Sequence, residues 1–295
     1  MKIFIEVFCV ILRYSGLFFL LRQFFIKKKV TVVVYHDPKY EIFEKHIKYL
    51  SKRYNFISFD DLIEGILKKD WSNIPVNSLV ITFDDGHKGN YQLLPIFKKY
   101  SIKPIIYCCS GIIGTNRSFW WKTINPMLTN EYKCLNQNDR LNRLEKDVGF
   151  YNEREYSKRQ ALTIEEINEI EKEADIGSHT IFHPILTCCT NFEKKKEIVG
   201  SKKQLEMVNH NFNCKHISYP NGDYDEETID IAKEAGYISG RTIDVGWNDI
   251  NSDPFKIKIT GISDDASINK VAAQLTGVTM FLRYLVKGSL KGLYK

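Results

Sequence analysis

No Cys-x-x-Cys pair occurs in this 295-residue chain, although it holds seven cysteines: Cys9, Cys108, Cys109, Cys134, Cys188, Cys189 and Cys214. The count is odd, and two pairs are adjacent in sequence, where a mutual disulfide is strained. Both features argue against a disulfide scaffold and fit a reducing compartment. No small-residue cleavage site follows the apolar N-terminus, so no secretory signal peptide is expected. No internal repeat or low-complexity linker interrupts the chain, which reads as one main domain with helices at its two ends. No compact basic patch interleaved with aromatics stands out in the middle of the chain. The net charge of +6 therefore does not imply nucleic acid as a partner.

What is present at the ends is unusual. Residues 3–26 are almost wholly apolar and are followed by Lys27, Lys28 and Lys29. That is long enough for a bilayer span of roughly 20 residues. However, Glu6, Arg13 and Arg22 interrupt it, and a charge near the centre costs about 2.5–3.5 kcal/mol on insertion. At the other end Arg283, Lys287, Lys291 and Lys295 recur every four residues, a basic stripe on one side of a helix. Such ends can lie on an anionic membrane surface. Surface attachment is the expectation, with a true span and internal packing as the alternatives. The expected division is 1–29 as a membrane-associating helix, 30–276 as the main domain and 277–295 as a basic amphipathic helix.

Between these ends, strands and helices alternate. Val30–Tyr35 is a β-branched run typical of a buried strand. Helical spacing follows at 41–53 and around Leu62–Leu67, then a strand at Leu79–Phe83, a helix at 90–100 and a strand at 103–108. Residues 111–160 break the rhythm, carry Trp120-Trp121 and read as an insertion over one rim. The pattern resumes with helices at 163–173, 192–210 and 226–235 and strands at 175–178, 215–219, 237–243 and 256–260. This alternation predicts an α/β fold with a parallel sheet, open or closed into a barrel. In both forms, chemistry sits where strands end.

Three motifs fall at such ends. Thr82-Phe83-Asp84-Asp85-Gly86 places two carboxylates together as a buried strand stops. Such a pair is costly unless paired, ligated or protonated. Ser178-His179-Thr180-Ile181-Phe182-His183-Pro184 offers two imidazoles four residues apart, able to meet one ion from the same side. Each motif alone has an ordinary reading, as a turn or as chance spacing. Together, one carboxylate and two histidines form a facial set with open positions, the pattern of catalytic rather than structural metal sites. Zinc suits these ligands, and cobalt, nickel, manganese or iron can serve in the same set. Asp84, left unligated, is placed to take a proton from water. The third motif is Ser218-Tyr219-Pro220-Asn221-Gly222.

TFDDG, then SHTxxHP, then YPxG resembles, in that order, the polysaccharide deacetylase family, the carbohydrate esterases with the NodB homology domain. The likeness runs from about Val30 to about Thr276. It implies a distorted (β/α) barrel of about seven parallel strands and metal-assisted removal of N-acetyl groups from glycans. Carried over by motif, Asp84 is the base, and Asp85, His179 and His183 are the ligands. Tyr219, Pro220, Asn221 and Gly222 form the loop beside the metal, with the Asn221 N–H helping to hold the oxyanion.

Two departures stand out. Many members carry an arginine two residues before the proline to orient the base; Ser218 stands there, and Arg241 is the candidate substitute. Many supply a general acid from a C-terminal Leu-x-His, and no histidine follows His216. His36, in Val34-Tyr35-His36-Asp37-Pro38, resembles the N-terminal YH motif of a subset of these deacetylases and is the candidate acid. His87, His46, His210 and His216 are expected to be surface or packing residues, and Cys188-Cys189 packing residues. Trp121, Trp247 and Arg241 are candidate substrate contacts. The expected activity is N-deacetylation of amino sugars in a bacterial surface glycan or its lipid-linked precursor, at the cytoplasmic face of the membrane. A membrane anchor through the N-terminal helix is the alternative placement. Deformylation, O-deacetylation and a non-enzymatic glycan-binding role are the rival functions.

Overall fold

The computed structural model of the chain describes residues 2–208 and 212–280. Eight strands form one parallel sheet: β1 (Val30–Tyr35), β2 (Asn55–Phe56), β3 (Ser78–Phe83), β4 (Ile105–Cys108), β5 (Asp175–Ser178), β6 (His216–Ser218), β7 (Ser239–Val245) and β8 (Ile257–Ile259). The order β1-β3-β4-β5-β6-β7-β8 runs around a ring, with the two-residue β2 beside the start of β3. The Thr260 N–H donates to the Val32 carbonyl at 2.7 Å, bringing the last strand back to the first. The result is a nearly closed barrel of seven parallel strands wrapped by helices, as the resemblance implied.

Side-chain alternation explains the ring. Successive strand residues point to opposite faces, and here both faces are buried. Val30, Val32, Val34, Val80, Ile105, Tyr107, Ile257 and Ile259 share one apolar cluster. Val33, Tyr35, Leu79, Ile81, Phe83 and Ile106 belong to another, with helix residues Phe43, Ile47 and Phe97. The first set fills the barrel and the second packs the surrounding helices. Gly177 lies opposite Tyr107 in the β4–β5 register. A Cβ there would come within 2.5 Å of the Tyr107 ring, so glycine is the residue that leaves room for that ring inside. Continued past the strand ends, the inward set of β3 reaches Asp84 and that of β5 reaches His179.

Some elements differ from expectation. β2 was not anticipated; two residues show no period. The helix expected at 90–100 is a 3₁₀ segment at Lys88–Leu93 and α-helical only over Leu94–Tyr100. Pro95 has no N–H to continue an α-helix begun earlier. Residues 111–160 form several short turns and helices, including Thr129–Lys133 and Gln137–Val148. Their own small core comprises Trp120, Ile124, Tyr132, Leu144 and Phe150 with Ile185.

The N-terminal segment is not the continuous helix expected. It forms helices Lys2–Tyr14 and Leu17–Leu21 and a π-helical turn Arg22–Ile26. The two halves, Glu6–Tyr14 and Leu17–Ile26, bend by 70°, and among the described residues no single helix is long and apolar enough to cross a membrane. The break falls at Gly16, in the left-handed region with φ 81°. The interrupting charges face the protein. Glu6 accepts from Ser267 and Asn269 at 2.8 Å, Arg13 donates to Asn269 at 2.8 Å, and Arg22 is buried over the Tyr54 ring. Most of the basic helix expected at 277–295 lies at 281–295, outside the described residues.

Candidate active site

The inner face of the barrel delivers Asp84 and Asp85 at the end of β3. The Asp84 N–H still bonds to the Tyr35 carbonyl at 2.9 Å, so Asp84 completes the strand pairing with β1. Asp85 (φ 71°) and Gly86 (φ 70°) then both adopt left-handed backbone. A Cβ at Gly86 would sit 2.8 Å from the Cys108 sulfur, so the sharp turn requires glycine twice over, by φ and by space. A non-glycine residue held at positive φ, as Asp85 is, costs on the order of 1–3 kcal/mol.

The two histidines come from a tight loop after β5 rather than a helical turn. Thr180 (φ 64°) and His183 (φ 55°) are also left-handed. Buried Glu197 accepts the Ile181 and Phe182 N–H groups at 2.8 and 2.9 Å, and Thr180 Oγ1 accepts that of His183 at 3.1 Å. Burial, the main cause, pushes the Glu197 carboxyl up to about 7.

These loops converge. Asp85 Oδ1 lies 3.6 Å from His179 Nε2 and 3.6 Å from His183 Nε2. All three residues are buried, and one ligand atom from each lies within 4.8 Å of the others. Two nitrogen or oxygen ligands about 2.0–2.1 Å from one tetrahedral ion stand about 3.4 Å apart. Asp85 Oδ1 is buried with no hydrogen-bond partner, and a buried lone pair without a partner is costly. His179 Nδ1 meets the Ser218 carbonyl at 2.7 Å; a carbonyl only accepts, so Nδ1 carries the proton and Nε2 presents its lone pair. Burial, then the neighbouring His179, pushes His183 down to about 3, so its ring is neutral and available as a ligand. The residues therefore fit a divalent metal.

Asp84 is held differently. Burial pushes its carboxyl up, but Arg241, then His179 and His36, outweigh it and hold it below the usual carboxylate range. The Arg241 guanidinium bonds both Asp84 oxygens and the Ser218 hydroxyl. Arg241 and Ser218 are directly paired across β6 and β7, so an arginine on the next strand occupies the space beside the serine. Arg241 is fully buried and absent from the cleft wall, which corrects its expected substrate contact: it lies beneath Asp84.

The cleft above is lined by His36, Asp84, Asp85, Trp120, Trp121, Lys133, His179, His183, Asn221 and Gly222, over an apolar floor that includes Val34, Ile243 and Ile259. His36 is exposed at the end of β1. Its loop is fixed by Asp264, which accepts the His36 and Asp37 N–H groups at 3.1 and 2.8 Å, and by Asn90, which donates to the His36 carbonyl at 2.7 Å. Trp121 packs over His183 with ring centroids 4.4 Å apart, and the Trp120 indole N–H donates to the His183 carbonyl at 3.1 Å. Asn221 (φ 57°) and Gly222 reach the cleft. Tyr219 does not, because its hydroxyl turns back to the Phe255 carbonyl at 3.1 Å.

Trp247 is a second correction. After β7 the chain folds back, and Asn248 pairs with Val30, at the start of β1. Five residues of strand, about 17 Å, separate Val30 from the Tyr35 end that faces the cleft, and Trp247 packs near Gly277 and Lys29. His46 and His216 are buried packing residues. Tyr35 and the Ala266 carbonyl engage the first, Asp60 and Ser239 the second. His210 lies outside the described residues. His87, expected to be ordinary, is not: it is buried with Nε2 3.1 Å from Asp85 Oδ2. Lys133, from the insertion, was also missed. It reaches the cleft and donates to Asn221 Oδ1 at 2.5 Å.

A parallel barrel that gathers a buried carboxylate, two imidazoles and a second, arginine-held carboxylate at its strand ends has the layout of a catalytic rather than a structural metal site. The family model described as polysaccharide deacetylase matches residues 72–239, and the chain belongs to that family. A relative named for the same family, YxkH of Bacillus subtilis (strain 168), is 26% identical over 229 residues, covering 74% of this chain and 66% of that protein, just under two thirds of its length. Two solved structures share the fold. The Streptococcus pyogenes deacetylase PplD in complex with acetate has a TM-score of 0.62 at 18% identity, over 84% of this chain and 99% of that one. IcaB from Ammonifex degensii has a TM-score of 0.61 at 15% identity, over 84% and 97%.

Proposed function

We propose that this chain is a metal-dependent N-deacetylase that hydrolyses the acetamido bond of N-acetylated amino sugars in a bacterial surface glycan or its lipid-linked precursor. The observation that carries this reading is the division of labour between adjacent carboxylates. Asp85 keeps an unbonded oxygen 3.6 Å from two imidazole nitrogens, while Arg241 holds both oxygens of Asp84.

A divalent ion held by Asp85, His179 and His183, best suited to zinc, would polarise the acetyl carbonyl and acidify water. The chain's own residues do the rest. Asp84, kept ionised by Arg241, takes the proton of the attacking water. Asn221 presents backbone at the cleft for the oxygen that becomes negative. His36, on the far rim, gives a proton to the departing nitrogen, so the C–N bond breaks to acetate and a free amine. Trp121 offers an aromatic face to the sugar ring.

The direct experiment incubates the metal-loaded protein with N-acetylated oligosaccharides and lipid-linked N-acetyl sugars, measuring acetate and the mass of the product. Loss of one acetyl mass with appearance of a primary amine supports the proposal. Loss of a formyl mass, or of acetyl with no amine, replaces it by deformylation or O-deacetylation. No release of either with any of the candidate metals leaves only glycan binding.

We also place the protein on the cytoplasmic membrane surface. With Glu6, Arg13 and Arg22 turned to the domain, the N-terminal helices expose Val7, Ile11, Phe19, Leu20, Phe24 and Phe25, next to Lys27, Lys28 and Lys29. Apolar side chains outward beside a lysine run match the interface of anionic lipid. Sedimentation with vesicles containing phosphatidylglycerol, but not with neutral vesicles, is the expected result. A concentration-dependent dimer without vesicle binding would assign the face to a second copy instead.

A further inference from the structure

The expected site residues leave one buried imidazole beside them unexplained. His87 stands two residues after Asp85 on the doubly left-handed turn, which brings both side chains to the same side. Its Nε2 lies 3.1 Å from Asp85 Oδ2, and its other nitrogen, Nδ1, meets the Lys122 ammonium at 3.3 Å. The ring lies edge-on to Phe119, centroids 4.7 Å apart, and the backbone at His87 bridges to Ala161 at the end of the insertion. An ammonium has no acceptor, so Lys122 can only donate to Nδ1. The proton of the neutral ring must then sit on Nε2, where it donates to Asp85 Oδ2.

We propose that His87 and Lys122 are positioning residues that turn Asp85 into a metal ligand, with the insertion supplying the outer half of the chain. Lys122 fixes the His87 tautomer, His87 occupies Oδ2, and Oδ1 is left as the one oxygen that faces His179 and His183. This rests on the metal site proposed above. It deepens that site: the insertion shapes not only the cleft wall but also the affinity of the ion.

The test titrates zinc calorimetrically into the metal-free full chain and its variants, and reads the His87 ring nitrogens by ¹⁵N NMR. In wild type the spectrum shows Nε2–H. His87→Ala weakens zinc about 10–100-fold, the usual cost of removing a group that orients a ligand. His87→Gln, whose amide N–H can still donate to Oδ2, recovers most of the affinity, which a purely space-filling role would not require. Lys122→Met, at an exposed position, weakens zinc by a smaller factor and lets Nδ1–H appear; it carries the test should His87→Ala fail to fold. Tight zinc binding unchanged by both His87→Ala and Lys122→Met, or an Nδ1–H ring in wild type, overturns the proposal and leaves the metal site standing. A wild-type chain that takes up none of zinc, cobalt, nickel, manganese and iron overturns both.

Discussion

The strand-end rim and the N-terminal helices each reverse the usual distribution of residues, in opposite directions. At the rim, Asp84, Asp85, His179 and Arg241 are buried and crowd a space that packing alone would fill with Val and Ile. On the N-terminal face, Phe24 is 77% and Phe25 68% exposed, while Glu6, Arg13 and Arg22 of the same segment turn to the body. A buried polar group and an exposed apolar patch are the two departures that carry information about function. The first needs a partner that brings charge, and the second a partner that excludes water. The two regions should therefore separate cleanly: rim variants change chemistry and spare membrane binding, and face variants do the reverse.

The largest expected effect is at the base. Asp84→Asn should lower acetate release by about 10²–10⁴-fold while vesicle sedimentation and zinc content stay as in wild type. A variant with near-normal release would remove Asp84 from the chemistry and with it the contrast. His36→Ala should cost about as much turnover, again within about 10²–10⁴-fold, with metal content intact.

Arg241→Met tests the rim as architecture. It leaves the Asp84 carboxylate buried without its cation, a loss of about 3–5 kcal/mol in comparable buried pairs. Chemical denaturation should show that loss even without metal or substrate. A smaller effect belongs to Glu197. Its folded pKa, raised to about 7 from 4.5, means the native state binds this proton more tightly than the unfolded chain. The stabilisation is full below pH 4.5 and is lost as pH rises through about 7, by a total on the order of 3 kcal/mol. Glu197→Gln should flatten that part of the stability-against-pH curve while keeping an acceptor for the Ile181 and Phe182 N–H groups. Phe24→Ser with Phe25→Ser should abolish vesicle binding and leave denaturation midpoints and turnover on soluble oligosaccharides within error.

How much of this was legible beforehand differs with the kind of pattern. The barrel could be read because β-branched runs such as Val30–Tyr35 alternate with amphipathic helices, and a buried strand declares itself by composition. The convergence of Asp85, His179 and His183 could be read because each motif sits at a strand end; inward alternation carries Asp84 and His179 to one side, and left-handed backbone at Asp85 and His183 turns the other two toward them. Trp247 was misplaced because nothing local shows that the chain doubles back after β7 to pair Asn248 with Val30. The expected long N-terminal helix failed at Gly16, where a left-handed residue ends an otherwise helical composition. His87 was overlooked because its contact with Asp85 is made across a turn. The spacing Asp85-Gly86-His87, with glycine at the bend, was the available signal. Lys133 left no signal; its place is set wholly by how the insertion folds.

The direct pairing of Ser218 with Arg241 has a further implication for how such proteins diverge. The Asp84 carboxylate meets its guanidinium in one sealed volume, and two neighbouring strands both border it. Arginine on both strands would force two cations into that volume, and arginine on neither would strand an anion there. Passage from one arrangement to the other is therefore a coupled exchange, and a scan that scores each position by itself will count an absence at residue 218 where the molecule has a relocation.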